Sequence, residues 1–319
     1  MLLVCVAGAL AAAALMGVAW FSVGLERTLT ALAHPNWPWL AAALGGEVLA
    51  YAGYTAAYRE VACAEDGAEL EVSKAAALVA SGFGAFVHGG GFSLDRAALQ
   101  RVGLSAEEAH RRVLALGALE YAVLAPATAV AALLVLVWHH SIGKSLTLPW
   151  IVGVPTGAVL TLAALRFEEA ARRLPLLGGP LGRGLHALRL VLRFVTAPLR
   201  HVQALGGTLV YWAGDVFCLW ATLHAFALRT PPVPQLLVAY ATGYALTRRA
   251  LPLGGAGVVE ALMPFALGWL EIARAPALVA VFVYRLFNLW LPLIPAAAGL
   301  PTVRQLEHAG LRARRRRRS

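Results

Sequence analysis

Apolar positions come in long blocks, near residues 2–24, 37–58, 75–93, 113–138, 146–165, 203–229, 232–247, 250–270 and 276–300. Leu2 to Gly24 and Ser145 to Leu165 contain no charged residue. A helix needs about 20 such residues to cross the apolar layer of a bilayer. The alternation that a membrane β-barrel requires is absent. The pattern predicts an all-α, polytopic helical membrane protein. The first block has no basic stretch before it and is long enough to span. It therefore reads as a transmembrane helix, not as a secretory signal.

The polar interruptions set the topology. The longest, 166–201, carries Arg166, Arg172, Arg173, Arg183, Arg189, Arg193 and Arg200 against Glu168 and Glu169. An excess of arginine marks the cytoplasmic side. Arg183, His186, Arg189 and Arg193 recur at helical spacing, with Leu185, Leu188, Leu192 and Val195 largely on other faces. That spacing fits a basic amphipathic helix on the inner leaflet, or else a solvated loop. The tail LRARRRRRS places the C-terminus inside as well.

With both regions inside, the blocks between 232 and 270 must begin and end outside. The block 232–247 is short, and Arg248-Arg249, Pro252 and three glycines follow it. A short hydrophobic pair interrupted by Gly and Pro points to a broken, re-entrant element. The first half has a counterpart in SGFGAFVHGGGFSLDRAA, residues 81–98. If that entered from the inside, the N-terminus would be cytoplasmic and the loops 25–36 and 139–145 outside. The connections 59–75 and 94–112 would lie inside. The expectation is six full crossings plus two re-entrant helix pairs. Residues 1–303 form the membrane domain, with halves 1–138 and 146–303 as an inverted repeat, and 304–319 form a basic cytoplasmic tail.

Composition sharpens this. The chain of 319 residues is 60% hydrophobic and 14% charged, and its mean hydropathy is +0.69. A soluble domain carries about 25% charged residues. The net charge of +10 suits anionic lipid, which attracts each Lys or Arg near the surface by about 1 kcal/mol. The expected partners are membrane lipids, anionic or zwitterionic, and no specific nucleic acid. Cys5, Cys63 and Cys218 are scattered, with no C-x-x-C, and read as apolar fillers.

Ionisable residues at membrane depth cost at least about 2.5–3.5 kcal/mol each, so they usually serve a purpose. The candidates here are Glu47, Glu120, Asp215, Glu260 and Arg285. Asp95, Arg96, Arg248 and Arg249 stand next to the glycine runs. Glu260 and Arg285 lie mid-segment on consecutive elements. They would line a polar cavity for an anionic or zwitterionic head group, or lock two helices as a structural pair. Gly254, Gly255 and Gly257 would let backbone N–H groups approach a ligand. A half-helix starting near Gly257 would aim its positive end at an anion. Arg248 and Arg249 would contact phosphate or anchor at the interface. Glu47, Glu120 and Asp215 would titrate in a proton-coupled cycle or satisfy interhelical hydrogen bonds.

Enzyme signatures are weak. His88-Gly89-Gly90-Gly91 has no G-x-S-x-G partner. His139-His140 stands without H-E-x-x-H, and there is no P-loop. No cofactor or metal is expected. Trp20, Trp37, Trp138, Trp150 and Trp212 sit near segment ends, where an interfacial belt accounts for several of them.

LPLGGAGVVEALMPFALGWL, followed by VAVFVYRLFNLWLPLIPAAAGL, resembles the lysylphosphatidylglycerol synthase transmembrane-region family of flippase-like proteins. The resemblance rests on P-x-G-G-x-G-x-x-E (Pro252, Gly254, Gly255, Gly257, Glu260) and on Y-R-x-x-x-x-W-x-P (Tyr284, Arg285, Trp290, Pro292). In the first half, FVHGGGFSLDRAAL departs from the family pattern, with no proline before the glycines. The resemblance implies about eight membrane elements with re-entrant helices, in a bacterial plasma membrane. It also implies lipid movement between leaflets. No aminoacyl-transferase domain follows in this sequence. The expectation is a transporter of a phospholipid or lipid-linked head group and not an enzyme. The alternative is a scaffold partnering a lipid-modifying or glycosyl transferase.

Overall fold

The computed structural model describes residues 35–65, 67, 69–85, 91–138, 144–166, 180–226, 228–245 and 258–292. All regular structure among them is helical. The order is α1 (Trp37–Cys63), α2 (Val72–Ala85), α3 (Gly91–Arg101), α4 (Ala106–Trp138), α5 (Lys144–Arg166) and α6 (Pro180–Thr196). Then come α7 (Val202–Ala225), α8 (Val233–Tyr240), α9 (Val258–Gly268) and α10 (Arg274–Arg285). π-Helical turns extend α8 over Ala241–Ala245 and α10 over Leu286–Trp290. The first apolar block, residues 167–179 and the arginine tail lie outside the described residues. So do Arg248, Arg249, Gly254, Gly255 and Gly257.

Among the described residues three helices, α4, α5 and α7, are long and apolar enough to cross a membrane. α2, α3 and α9 have 14, 11 and 11 residues. At 1.5 Å per residue the 11-residue helices reach only about 17 Å, short of a hydrocarbon layer of about 30 Å.

α1 and α7 form the most intimate pair, and the cause is a run of small residues. A Cβ on Gly46 would meet the Gly214 carbonyl oxygen at 2.8 Å, and one on Gly53 would meet the Gly207 oxygen at 2.5 Å. The reverse contacts are as close, Gly214 to the Gly46 oxygen at 2.5 Å and Gly207 to the Gly53 oxygen at 2.6 Å. The two helices therefore run antiparallel with their backbones touching. In lipid, such van der Waals contact replaces the hydrophobic drive that water would supply.

One end of this pair is tied by charge. The Glu60 carboxylate accepts from the Ala204 N–H in the first turn of α7 and lies 2.9 Å from His201 Nδ1. An acceptor there satisfies an otherwise orphaned helix-start donor. Arg112, buried in α4, donates to the Val61 carbonyl in the last turn of α1 at 2.6 Å and lies 2.8 Å from Glu108. Glu65 contacts both Arg111 and Arg193, which joins α6 to the α1–α4 junction.

Two elements add to the sequence reading. The connection 94–112 is mostly helical, because α3 ends at Arg101 and α4 already begins at Ala106. Ser105-Ala106-Glu107-Glu108 is a capping sequence, and the Glu108 N–H donates to Ser105 Oγ at 3.1 Å. The helix therefore starts in polar residues and enters the apolar block without a break. α6 is the expected amphipathic helix, with an apolar face only partly the expected one. Leu185 is buried as expected, Ala187, Leu190, Val191 and Phe194 are buried with it and the helix packs on α4, whereas Val195 is exposed. Phe194, the largest apolar side chain, sets the face, and protein covers it.

Candidate functional site

Asp215 is the centre of a polar cluster inside the bundle. It sits on α7, one residue after Gly214, one of the two points where the α1 backbone touches α7. Three donors converge on its carboxylate. Tyr240 Oη, the last residue of α8, donates to Oδ2 at 2.6 Å. Tyr284 Oη and Asn288 Nδ2, from α10 and its π turn, each donate to Oδ1 at 2.8 Å. Burial is complete for Asp215, Tyr240 and Tyr284. A buried carboxylate is tolerable only when its lone pairs are met in this way.

The network continues through Asn288. Its Oδ1 accepts from the Arg285 guanidinium at 3.2 Å while its Nδ2 faces Asp215. The amide orientation is fixed, since only the oxygen can face a guanidinium and only the nitrogen a carboxylate. Arg285 Nε donates to Glu260 Oε1 at 2.9 Å, with side-chain exposures of 1% and 3%. One guanidinium thus serves two carboxylates, Glu260 directly and Asp215 through an amide. Four elements supply the cluster: α7, α8, α9, and α10 with its π turn.

Backbone geometry delivers these side chains. Tyr240 closes an α-helical run and a π turn follows. Tyr284-Arg285 closes another, and again a π turn follows. A π turn holds one extra residue and shifts the helical phase, a feature common at functional sites. The Leu291 N–H returns to the Leu286 oxygen at 2.8 Å, five residues back. Gly243, in the first π turn, lies against Met263 of α9, where a Cβ would come within 2.9 Å of Met263 Cα. Trp150 of α5 donates to Thr242 Oγ1 at 3.0 Å.

The structure brings Asp215, Glu260, Tyr284 and Arg285 into one network. Glu47 and Glu120 are buried on α1 and α4. The Glu120 backbone carbonyl accepts from Trp212 Nε1 at 2.9 Å. Asp95 is buried in α3, and its neighbour Arg96 is exposed. Sequence reasoning missed Tyr240 and Asn288. The signal for Asn288 was a polar side chain in an apolar stretch, one turn after Tyr284-Arg285. Trp150 and Trp212 are interior hydrogen-bond donors, whereas Trp37 and Trp138 at helix ends are 72% and 67% exposed, as a belt requires. Among the described residues no three His, Cys, Asp or Glu side chains gather as a metal would need.

Apolar helices of spanning length around a buried ion network define a helical integral membrane protein. Residues 5–296 match the family described as Lysylphosphatidylglycerol synthase TM region, and the chain belongs to that family. No curated protein matches it.

Proposed function

We propose that this chain moves a phospholipid or lipid-linked head group between leaflets while the acyl tails stay in the bilayer. The observation that carries the reading is the Asp215–Asn288–Arg285–Glu260 network, three ionisable groups connected across α7, α9, and α10 with its π turn in an apolar bundle. Such groups are costly at membrane depth and typically line a substrate or ion path. Arg285 would release Glu260 or Asn288 to take a head-group phosphate. Arg248, Arg249 and the glycines 254, 255 and 257, adjacent in sequence to α9, would add phosphate contacts. The short pairs α2/α3 and α8/α9 would be the two re-entrant elements, related as an inverted repeat. This reading has no catalytic role for the chain.

The test is leaflet exchange of labelled lipids in proteoliposomes, using anionic, zwitterionic and polyprenyl-phosphate-linked probes. Wild type should exchange one class, and Glu260→Gln and Arg285→Ala should each abolish exchange. Glu47→Gln, Asp215→Asn and Glu260→Gln test proton coupling. Unchanged pH-dependent transport in all three removes that idea.

The network is closed, every charge in it having a protein partner, which also suits a rigid scaffold for a lipid-modifying or glycosyl transferase. That reading expects a co-purifying enzyme and no exchange by a folded sample.

A further inference from the structure

We infer that the chain carries an anionic-lipid site at the end of the bundle where α1 finishes and α7 begins, away from the Asp215 network. Two cavities meet there. One, of about 430 Å³, is polar and lined by Arg59, Glu60, Cys63, Leu199, Arg200 and Gln203. The other, also about 430 Å³, is an almost wholly apolar groove along Tyr51, Ala52, Thr55, Ala56, Val72 and Ala76. They share Arg59 and Gln203. A polar pocket opening into an apolar groove has the shape of a phospholipid, head group first.

The charges favour an anion. Arg59 spends Nε on the Leu70 carbonyl at 2.7 Å, which fixes its guanidinium plane. Its terminal nitrogens make no hydrogen bond among the described residues, and neither does the exposed Arg200 side chain. Glu60 is the opposing charge, but its oxygens already serve the Ala204 N–H and His201. Two guanidiniums can therefore meet one phosphate through charge-assisted hydrogen bonds. Leu199, at the pocket lip, is 91% exposed and Val202 59%, the disposition of side chains that dip into lipid. From Arg59 back to Tyr51 the helix rises about 12 Å, room for much of one acyl chain. The groove has a fixed floor, because the Tyr51 hydroxyl donates to the Ala76 carbonyl and holds α1 to α2.

Cys63 reports on the pocket directly. The purified full chain in detergent is alkylated with a maleimide, and the Cys63 peptide is followed by mass spectrometry. Dioleoyl phosphatidylglycerol should slow alkylation of Cys63. Dioleoyl phosphatidylcholine should do so far less, and sn-glycerol 3-phosphate, which lacks tails, hardly at all. The Arg59→Gln/Arg200→Gln variant should need about tenfold more phosphatidylglycerol for the same protection. Ala52→Trp, which fills the exposed groove, should weaken protection with both arginines in place. Equal protection by the two lipids, or by glycerol phosphate alone, overturns the site, as does full protection in the double-arginine variant. If that variant does not fold, the three probes on wild type decide. The readout involves no lipid movement, so it stands or falls apart from the transport reading.

Discussion

At the scale of single residues, Arg285 bears the largest share of the cluster's electrostatics. Arg285→Ala leaves Glu260 buried without its cation, and losing one partner of a buried pair costs about 3–5 kcal/mol. A clear fall in thermal midpoint is the expected outcome, alongside loss of exchange. Asp215→Asn is subtler. It turns one acceptor oxygen into a donor that faces Tyr240, or Tyr284 and Asn288, at a cost of about 1–3 kcal/mol. Tyr240→Phe removes one donor of three and should cost about 1 kcal/mol. The order of denaturation midpoints, Tyr240→Phe above Asp215→Asn above Arg285→Ala, checks the assignment. Glu260 and Arg285 were legible in the sequence because charges stand out in apolar blocks. Tyr240 and Asn288 were not. A tyrosine or asparagine in such a block costs little alone, and only the fold reveals a common acceptor.

At the scale of elements, the α1–α7 contact makes adjacent glycines behave oppositely. Gly45 faces open space, whereas a Cβ on Gly46 runs into the Gly214 carbonyl. Gly45→Ala should stabilise the helix by about 0.5–1 kcal/mol. Gly46→Ala or Gly53→Ala should destabilise by about 1–3 kcal/mol through overpacking. Thermal unfolding of the variants in one detergent measures both signs. The junction of α6 is pH-sensitive through Glu65. Burial pushes the Glu65 carboxyl up, but Arg111 and Arg193 outweigh it, and its pKa lies below the ordinary value. A lowered folded-state pKa gives stability that is present above the unfolded value and lost as pH falls through the folded one. Hydrogen exchange across 180–196 should accelerate below about pH 4, and Glu65→Gln should show that faster exchange already at neutral pH. The boundaries of α5, α7 and α8 followed the hydrophobic blocks closely. The start of α4 did not, because its signal is the capping sequence at Ser105 and not hydropathy, and α3 extends well past the 75–93 block. The covered face of α6 was also hidden, since periodicity gives an apolar face but not whether lipid or protein meets it.

For the molecule as a whole, the two ends of the α1–α7 pair differ in character. One gathers Arg59, Arg111, Arg112, Arg193 and Arg200, while at the other Asn36 donates to the Ala225 carbonyl at 2.8 Å. The arginine rule predicts that the first end faces the cytoplasm. A membrane-impermeant maleimide on intact cells should therefore label Arg229→Cys, and should reach Arg200→Cys only after permeabilisation. The reverse pattern would put the tail outside. The sequence carried the membrane class and the long helices because desolvation dominates their energy. Which short helices pair, and through which side chains, depends on contacts between distant segments and was not visible. The π turns after Tyr240 and Tyr284 have a consequence for chain length. Each stores one surplus residue, and one residue of helix is about 100° of rotation. Deleting one residue within 286–290 would let the turn relax to an ordinary helix and swing Asn288 away from Asp215, while the helix on either side keeps its direction. A single-residue deletion in 286–290 should therefore leave a folded helix that has lost the Asn288 bridge between Asp215 and Arg285, so that sequence length there sets the polar cluster and not the path of the chain.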